Sequence, residues 1–149
     1  MVYRATDDGF GAQNFHDKCN GISNTLVVIK STTGYIFGGY TNAQWSSHNK
    51  YGVDPEAFLF SLTNYINQAK KIKCTQPEYA IYNYSGYGPT FGGRHNLLII
   101  DNSNLNSLSF HNLSDFSYIV SDYPNLFNAG HGHFQVSQIE IYCKDTEIM

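Results

Sequence analysis

Two histidines, His131 and His133, flank Gly132 near the end of the chain. On a strand, side chains at i and i+2 leave the same face. Such a pair can present two imidazoles to one metal ion. A complete site needs a further ligand, and His95, His111 and Asp101 are the candidates, although no spacing ties them to the pair. The plainer reading is a glycine-rich polar loop leading into the last strand. A second pairing is His16 with Cys19, at i and i+3 of a predicted helix, where a base beside a thiol can make a nucleophile. Cys19 shares an apolar stripe with Ala12 and Phe15, however, and a thiol on such a stripe acts as a small hydrophobe. The carboxylates show no spacing that would set two of them face to face, as glycoside hydrolysis requires. The chain contains no GxSxG, P-loop or GxGxxG motif.

The motif Phe-Gly-Gly occurs twice, as Phe37-Gly38-Gly39 and Phe91-Gly92-Gly93. Adjacent glycines in strand surroundings leave no side chain to pack, so the backbone there bends, bulges or lets another group come close. We expect a tight bend or a close contact between two sheets. The second copy continues into Arg94 and His95, and its backbone N–H groups could cradle an anion beside Arg94. It opens no helix, which weakens that reading. Tyr79, Tyr82, Tyr84 and Tyr87, with Trp45, supply aromatic surface for a sugar or a protein if they form one patch.

These residues must be held by a single domain. The 149 residues are 42% hydrophobic, 15% aromatic and only 14% charged. That balance suits a β-rich globular core rather than a disordered chain. Nine basic residues against twelve acidic ones give a net charge of −3. The tightest basic group, Lys70, Lys71 and Lys73, reads as a solvated loop, and nucleic-acid binding would call for a basic face. Three widely spaced cysteines, Cys19, Cys74 and Cys143, argue against a disulfide framework and for a cytoplasmic or other reducing compartment. The start, Met1 to Arg4, lacks a signal-peptide pattern. The aliphatic runs Leu26 to Ile29 and Leu97 to Ile100 are too short for membrane insertion.

Along the chain, a strand over Val2 to Ala5 leads to a helix started by Asp7 or Asp8 and stopped at Asn20-Gly21. Leu26 to Ile29 and Tyr35 to Tyr40 form a hairpin around Thr32-Thr33-Gly34. Trp45 follows in a loop. Further strands are expected at Ala57 to Leu62, Tyr79 to Tyr82 and Asn96 to Asp101, with a polar turn from Asn102 to Asn106. In the last strand the apolar phase changes from Phe134 and Val136 to Ile139, Ile141 and Cys143. One period-two pattern cannot serve both halves, so Ser137-Gln138 marks a β-bulge or a strand covered on both faces. The fold class is mainly β with short helices, a two-sheet antiparallel β-sandwich.

The order of motifs resembles the TLDc domain family. The carriers are Tyr3-Arg4-Ala5-Thr6-Asp7-Asp8-Gly9-Phe10, then Phe15-His16-Asp17-Lys18-Cys19, Thr25 to Lys30, and Ile36-Phe37-Gly38-Gly39-Tyr40-Thr41 with Trp45. Asp54 to Leu62, Gly88-Pro89-Thr90-Phe91-Gly92-Gly93, and Phe134 to Tyr142 complete the match, which covers nearly the whole chain. The resemblance implies a β-sandwich flanked by short helices, an intracellular eukaryotic protein, a link to oxidative-stress resistance, and binding to the vacuolar proton-pumping ATPase. It implies no catalytic residue and no cofactor. Where the oxidation-resistance branch carries an acidic residue after the second Phe-Gly-Gly, this chain has Arg94-His95-Asn96. The stretch from Asn102 to Gly130 is similar to versions from protist and invertebrate multidomain proteins. The family often has an earlier N-terminal strand or helix, so the resemblance implies that this element is missing, or that the chain is a fragment or a minimal version.

The expected function is therefore a noncatalytic protein-interaction domain spanning residues 1–149. Its partner-binding loops are expected around Gly38, Gly39, Trp45 and Phe91, Gly92, Gly93, Arg94, His95. The alternatives are a structural subunit of a larger assembly, a sugar-binding sandwich, and an enzyme or peroxide-handling protein using His131, His133 or a cysteine.

Overall fold

A computed structural model describes residues 1–64, 67–112, 117–118 and 132–144. Strand β1 (Tyr3–Arg4) runs into a single helical turn, α1 (Ala5–Asp8), and then helix α2 (Ala12–Cys19). The strands that follow are β2 (Thr25–Ser31), β3 (Ile36–Thr41), β4 (Lys50–Gly52), β5 (Phe58–Thr63), β6 (Lys70–Lys73), β7 (Ile81–Asn83), β8 (Thr90–Phe91), β9 (Leu97–Leu98), β10 (Ser109–His111), β11 (His133–Phe134) and β12 (Val136–Cys143). Among the described residues they form two antiparallel six-stranded sheets. The first has the order β1-β12-β2-β3-β5-β6 and the second β11-β10-β9-β8-β7-β4.

The expected sandwich is what the chain builds, and alternation is the reason. In β2, Thr25, Val27, Ile29 and Ser31 are buried while Leu26 and Val28 lie half-buried on the other face. The phase change in β12 is a register break between Val136 and Gln138 against β2. One extra residue there returns Ile139 and Ile141 to the core, as a bulge does.

The two Phe-Gly-Gly motifs meet each other. A Cβ at Gly39 of β3 would lie 2.6 Å from Phe91 Cζ and 2.7 Å from Phe91 Cε1, in the opposite sheet. The first doubled glycine is thus the close sheet-to-sheet contact. The second serves a turn, with Gly92 at φ +97°. Edge-to-face rings continue from Tyr3 to Phe15 (6.1 Å), Trp45 (5.2 Å), Phe91 (5.7 Å) and Tyr118 (6.5 Å). Each such pair contributes about 0.5–1.5 kcal/mol beyond the area it buries.

Several local expectations shift. The first helix is broken by Gly9 at φ +106°, so neither Asp7 nor Asp8 starts α2. Asn14 Oδ1 instead accepts from Gly11 N–H (2.9 Å), and Asp101 Oδ1 accepts from Ala12 N–H (2.7 Å) across 89 residues. The Tyr79 to Tyr82 strand begins two residues later, because Pro77–Tyr79 takes a 3-10 turn. The Asn96 to Asp101 strand shortens to β9, since Ile100 N–H donates to the Ser109 hydroxyl rather than to a ladder carbonyl. The lysine cluster is no loop: Lys70, Lys71 and Lys73 stand on β6, an edge strand, where lysines discourage further strand pairing. No helix among the described residues is long and apolar enough to cross a membrane.

Candidate functional site

Tyr82 sits on β7 directly opposite Tyr51 of β4 in the ladder, with ring centroids 4.8 Å apart. Cross-strand neighbours of this kind pack on one face of a sheet. Tyr79, carried by the 3-10 turn, meets Tyr51 edge-on at 5.0 Å. Tyr84, two residues beyond Tyr82, shares its face and stacks nearly parallel to it at 6.1 Å. Tyr87 closes on Tyr84 at 4.7 Å. His95 then bridges Tyr82 (5.4 Å) and Tyr87 (5.6 Å). The result is one connected strip from Tyr79 to His95, and Tyr51, Tyr79 and Tyr84 remain 36–38% exposed.

Two anchors hold the strip. His16 of α2 is buried, and its Nε2 lies 2.9 Å from both Tyr84 O and Tyr87 O. Carbonyl oxygens only accept, so Nε2–H donates to them and fastens the Tyr84–Tyr87 turn to the helix. On the other side, Tyr51 OH donates to Gly93 O (3.1 Å), joining β4 to the second glycine motif. Burial, together with Tyr82 and Tyr79, raises the Tyr51 hydroxyl above the usual phenol value, so it stays a donor at neutral pH. Burial lowers His95 below the usual imidazole value, favouring a neutral ring. His95 adopts φ +53°, and its Nδ1 has no hydrogen-bond partner among the described residues. Arg94 beside it is exposed.

The other sequence candidates separate. Gly38, Gly39, Trp45, Phe91 and Gly92 are buried. Trp45 Nε1–H donates to Thr25 Oγ1 (2.8 Å) inside the core, so Trp45 does not join the aromatic surface. Of the expected docking loops, Gly93, Arg94 and His95 reach solvent. Three N–H groups of the expected anion cradle are turned inward to protein acceptors: Gly92 donates to Ala80 O, Gly93 to Ser117 Oγ and His95 to Gly92 O.

The Cys19–His16 nucleophile does not form either. His16 is engaged by Asn20, Tyr84 and Tyr87. Burial pushes the Cys19 thiol up to about 12, with Asp8 adding to the effect. A thiol so placed is not ionised at neutral pH and is a poor nucleophile. Cys19, Cys74 and Cys143 are all free thiols.

His131 lies outside the described residues. His133 is on β11, against the Phe110 ring. Asp101 serves the start of α2, His95 belongs to the tyrosine strip, and His111 sits on β10. Among the described residues no three His, Cys, Asp or Glu side chains gather to hold a metal ion.

Sequence reasoning found the tyrosines but missed Tyr51 and the role of His16. The i, i+2 spacing of Tyr82 and Tyr84 was a usable signal. Nothing in the sequence placed Tyr51 opposite them.

A family model described as the TLDc domain matches residues 1–143. Relatives bearing the name MTOR-associated protein MEAK7 match in part. The Gallus gallus protein is 31% identical over 78 residues, which is 50% of this chain and 14% of the relative. The Danio rerio protein is 35% identical over 66 residues, 44% of this chain and 15% of the relative. The Mus musculus protein is 27% identical over 82 residues, 53% of this chain and 15% of the relative. The matched stretch therefore spans about one-seventh of the length of these relatives.

Proposed function

The chain belongs to the TLDc domain family, and on that premise we propose that it works as a protein-docking domain whose contact face is the tyrosine strip with Gly93, Arg94 and His95. The observation that carries this reading is the continuity of the strip. Exposed tyrosines locked ring against ring offer a large contact area at small entropic cost, and Tyr and Arg are enriched among residues that dominate binding energy. The anchors at His16 and Gly93 organise the surface before any partner arrives.

The partner implied by the family resemblance is the vacuolar proton-pumping ATPase, with a role in oxidative-stress resistance inside a reducing compartment. The relatives' name adds association with MTOR as a second source of partners. The test is co-purification with purified vacuolar ATPase at low salt, comparing wild type, Arg94→Glu and the pair Tyr51→Ala/Tyr84→Ala. We expect wild-type binding and a loss of about tenfold or more in each variant, since hot-spot truncation costs about 2 kcal/mol. Absence of wild-type binding removes this ATPase as the partner. Binding that ignores both variants removes the tyrosine strip as the face.

A further inference from the structure

The first sheet carries a second unusual surface, on the face turned away from the core. Leu26 and Val28 of β2 and Phe58, Phe60 and Leu62 of β5 line an open groove of about 350 Å³. Gly38 lies between Val28 and Phe60 in the ladder. It contributes no side chain, and a Cβ there would stand 3.0 Å from Phe60 Cζ, so the Phe60 ring leans over the glycine and floors the groove. Leu62 is 53% exposed. A sandwich normally keeps polar residues on its outer faces, and here β2 and β5 present apolar ones.

One rim is basic. Lys71 lines the groove and stands opposite Phe60 in the ladder, and Lys73 stands opposite Phe58 on the same face. Lys71 Nζ lies 4.3 Å from the centre of the Phe58 ring, which places a cation at the edge of the apolar floor. The same lysines make β6 a poor template for an added strand. Along β5 the groove floor runs from Phe58 to Leu62, about 13 Å at about 3.3 Å per residue. At 1.5 Å per residue that is roughly nine residues of α-helix.

We infer that this groove docks an amphipathic helix from a protein partner, with an apolar stripe at i, i+3, i+4, i+7 seated on Phe58, Phe60 and Leu62 and an acidic flank facing Lys71 and Lys73. The arrangement is the helix-in-groove mode of recognition, with charge complementarity setting orientation. The face lies on the opposite sheet from the tyrosine strip, so either surface can fail its test independently.

The experiment displays helical peptides of about three to four turns, with leucine fixed along the stripe and Glu, Gln or Lys allowed at the flanks. They are sorted against the whole chain. The expected result is enrichment of Glu flanks, a loss of about tenfold or more in affinity, near 1.4 kcal/mol, with Leu62→Glu, and a reversed preference for Lys flanks with Lys71→Glu. Tyr51→Ala leaves binding unchanged, and Trp45 fluorescence confirms that each variant is folded. The inference is overturned by no enrichment, by equal recovery of Glu and Lys flanks, or by binding that survives Leu62→Glu. It is also overturned if the chain self-associates and Leu62→Glu abolishes that association, since a second copy would then be the occupant.

Discussion

Replacing Gly39 by alanine is the sharpest perturbation of the sandwich. The new methyl group would lie 2.6–2.9 Å from three atoms of the Phe91 ring. That is well inside carbon–carbon contact, which is optimal near 3.5–4.0 Å. Phe91 cannot retreat freely, because it packs edge-to-face on Trp45 at 5.7 Å and is itself fully buried. Overpacking of this kind costs about 1–3 kcal/mol. The reduced entropy of the unfolded chain returns about 0.4–1 kcal/mol. The expected net loss is about 1–2 kcal/mol, or roughly 2–8 °C in Tm for a domain of this size. Urea unfolding followed by fluorescence reads it directly, since Trp45 is the single tryptophan and touches the perturbed ring. Phe91→Leu should lower stability alone yet relieve Gly39→Ala, so the double variant falls short of the sum by about 1 kcal/mol, as coupled neighbours do. A wild-type midpoint for Gly39→Ala, or strict additivity in the double variant, would refute the reasoning.

The remaining expectations concern single side chains. Asp54 is buried and accepts from Thr41 Oγ1, Asn42 N–H and Glu56 N–H at 2.6–2.9 Å. Asp54→Ala leaves those donors without their acceptor and should cost about 2–4 kcal/mol in urea unfolding; a change under about 0.5 kcal/mol contradicts this. Cys19 should resist maleimide in the native protein and react only on unfolding, whereas exposed Cys143 should label at once; mass spectrometry of the labelled peptides decides. Because His95 titrates lower when folded, it binds fewer protons than in the unfolded chain. Its contribution to stability is present above the ordinary imidazole value near 6.5 and is lost as pH falls through the folded value. His95→Gln should flatten that acid-side slope, and an unchanged slope in unfolding titrations between pH 7 and 5 would oppose the assignment.

The sandwich was legible because its strands are short apolar, β-branched or aromatic runs bounded by turn residues. The β2–β3 hairpin follows from its apolar runs around Thr32-Thr33-Gly34, and the buried face of α2 with Ala12, Phe15 and Cys19 and the break in β12 follow from period and phase. The doubled glycine at Gly38-Gly39 also announced a close approach, although only the folded chain shows that the approaching group is Phe91 of the other copy. The missed features depend on distant partners. Gly9 splits the first helix at its positive φ, and the start of α2 is completed by Asp101, far along the chain. Trp45 read as a surface aromatic, yet its indole N–H finds Thr25 and the ring enters the core. The tyrosine strip draws on β4, the turn at Pro77–Tyr79, β7 and the loop at His95, and no local pattern assembles four segments.

Affinity purification from the native cell, with quantitative mass spectrometry, tests the docking claim most directly when three baits are compared: wild type, Tyr51→Ala/Tyr84→Ala and Leu62→Glu. The account predicts at least one protein held by wild type and by Leu62→Glu but depleted about tenfold or more by the tyrosine pair. Equal recovery of every captured protein on the wild-type and tyrosine-variant baits, with both folded by Trp45 fluorescence, would contradict it.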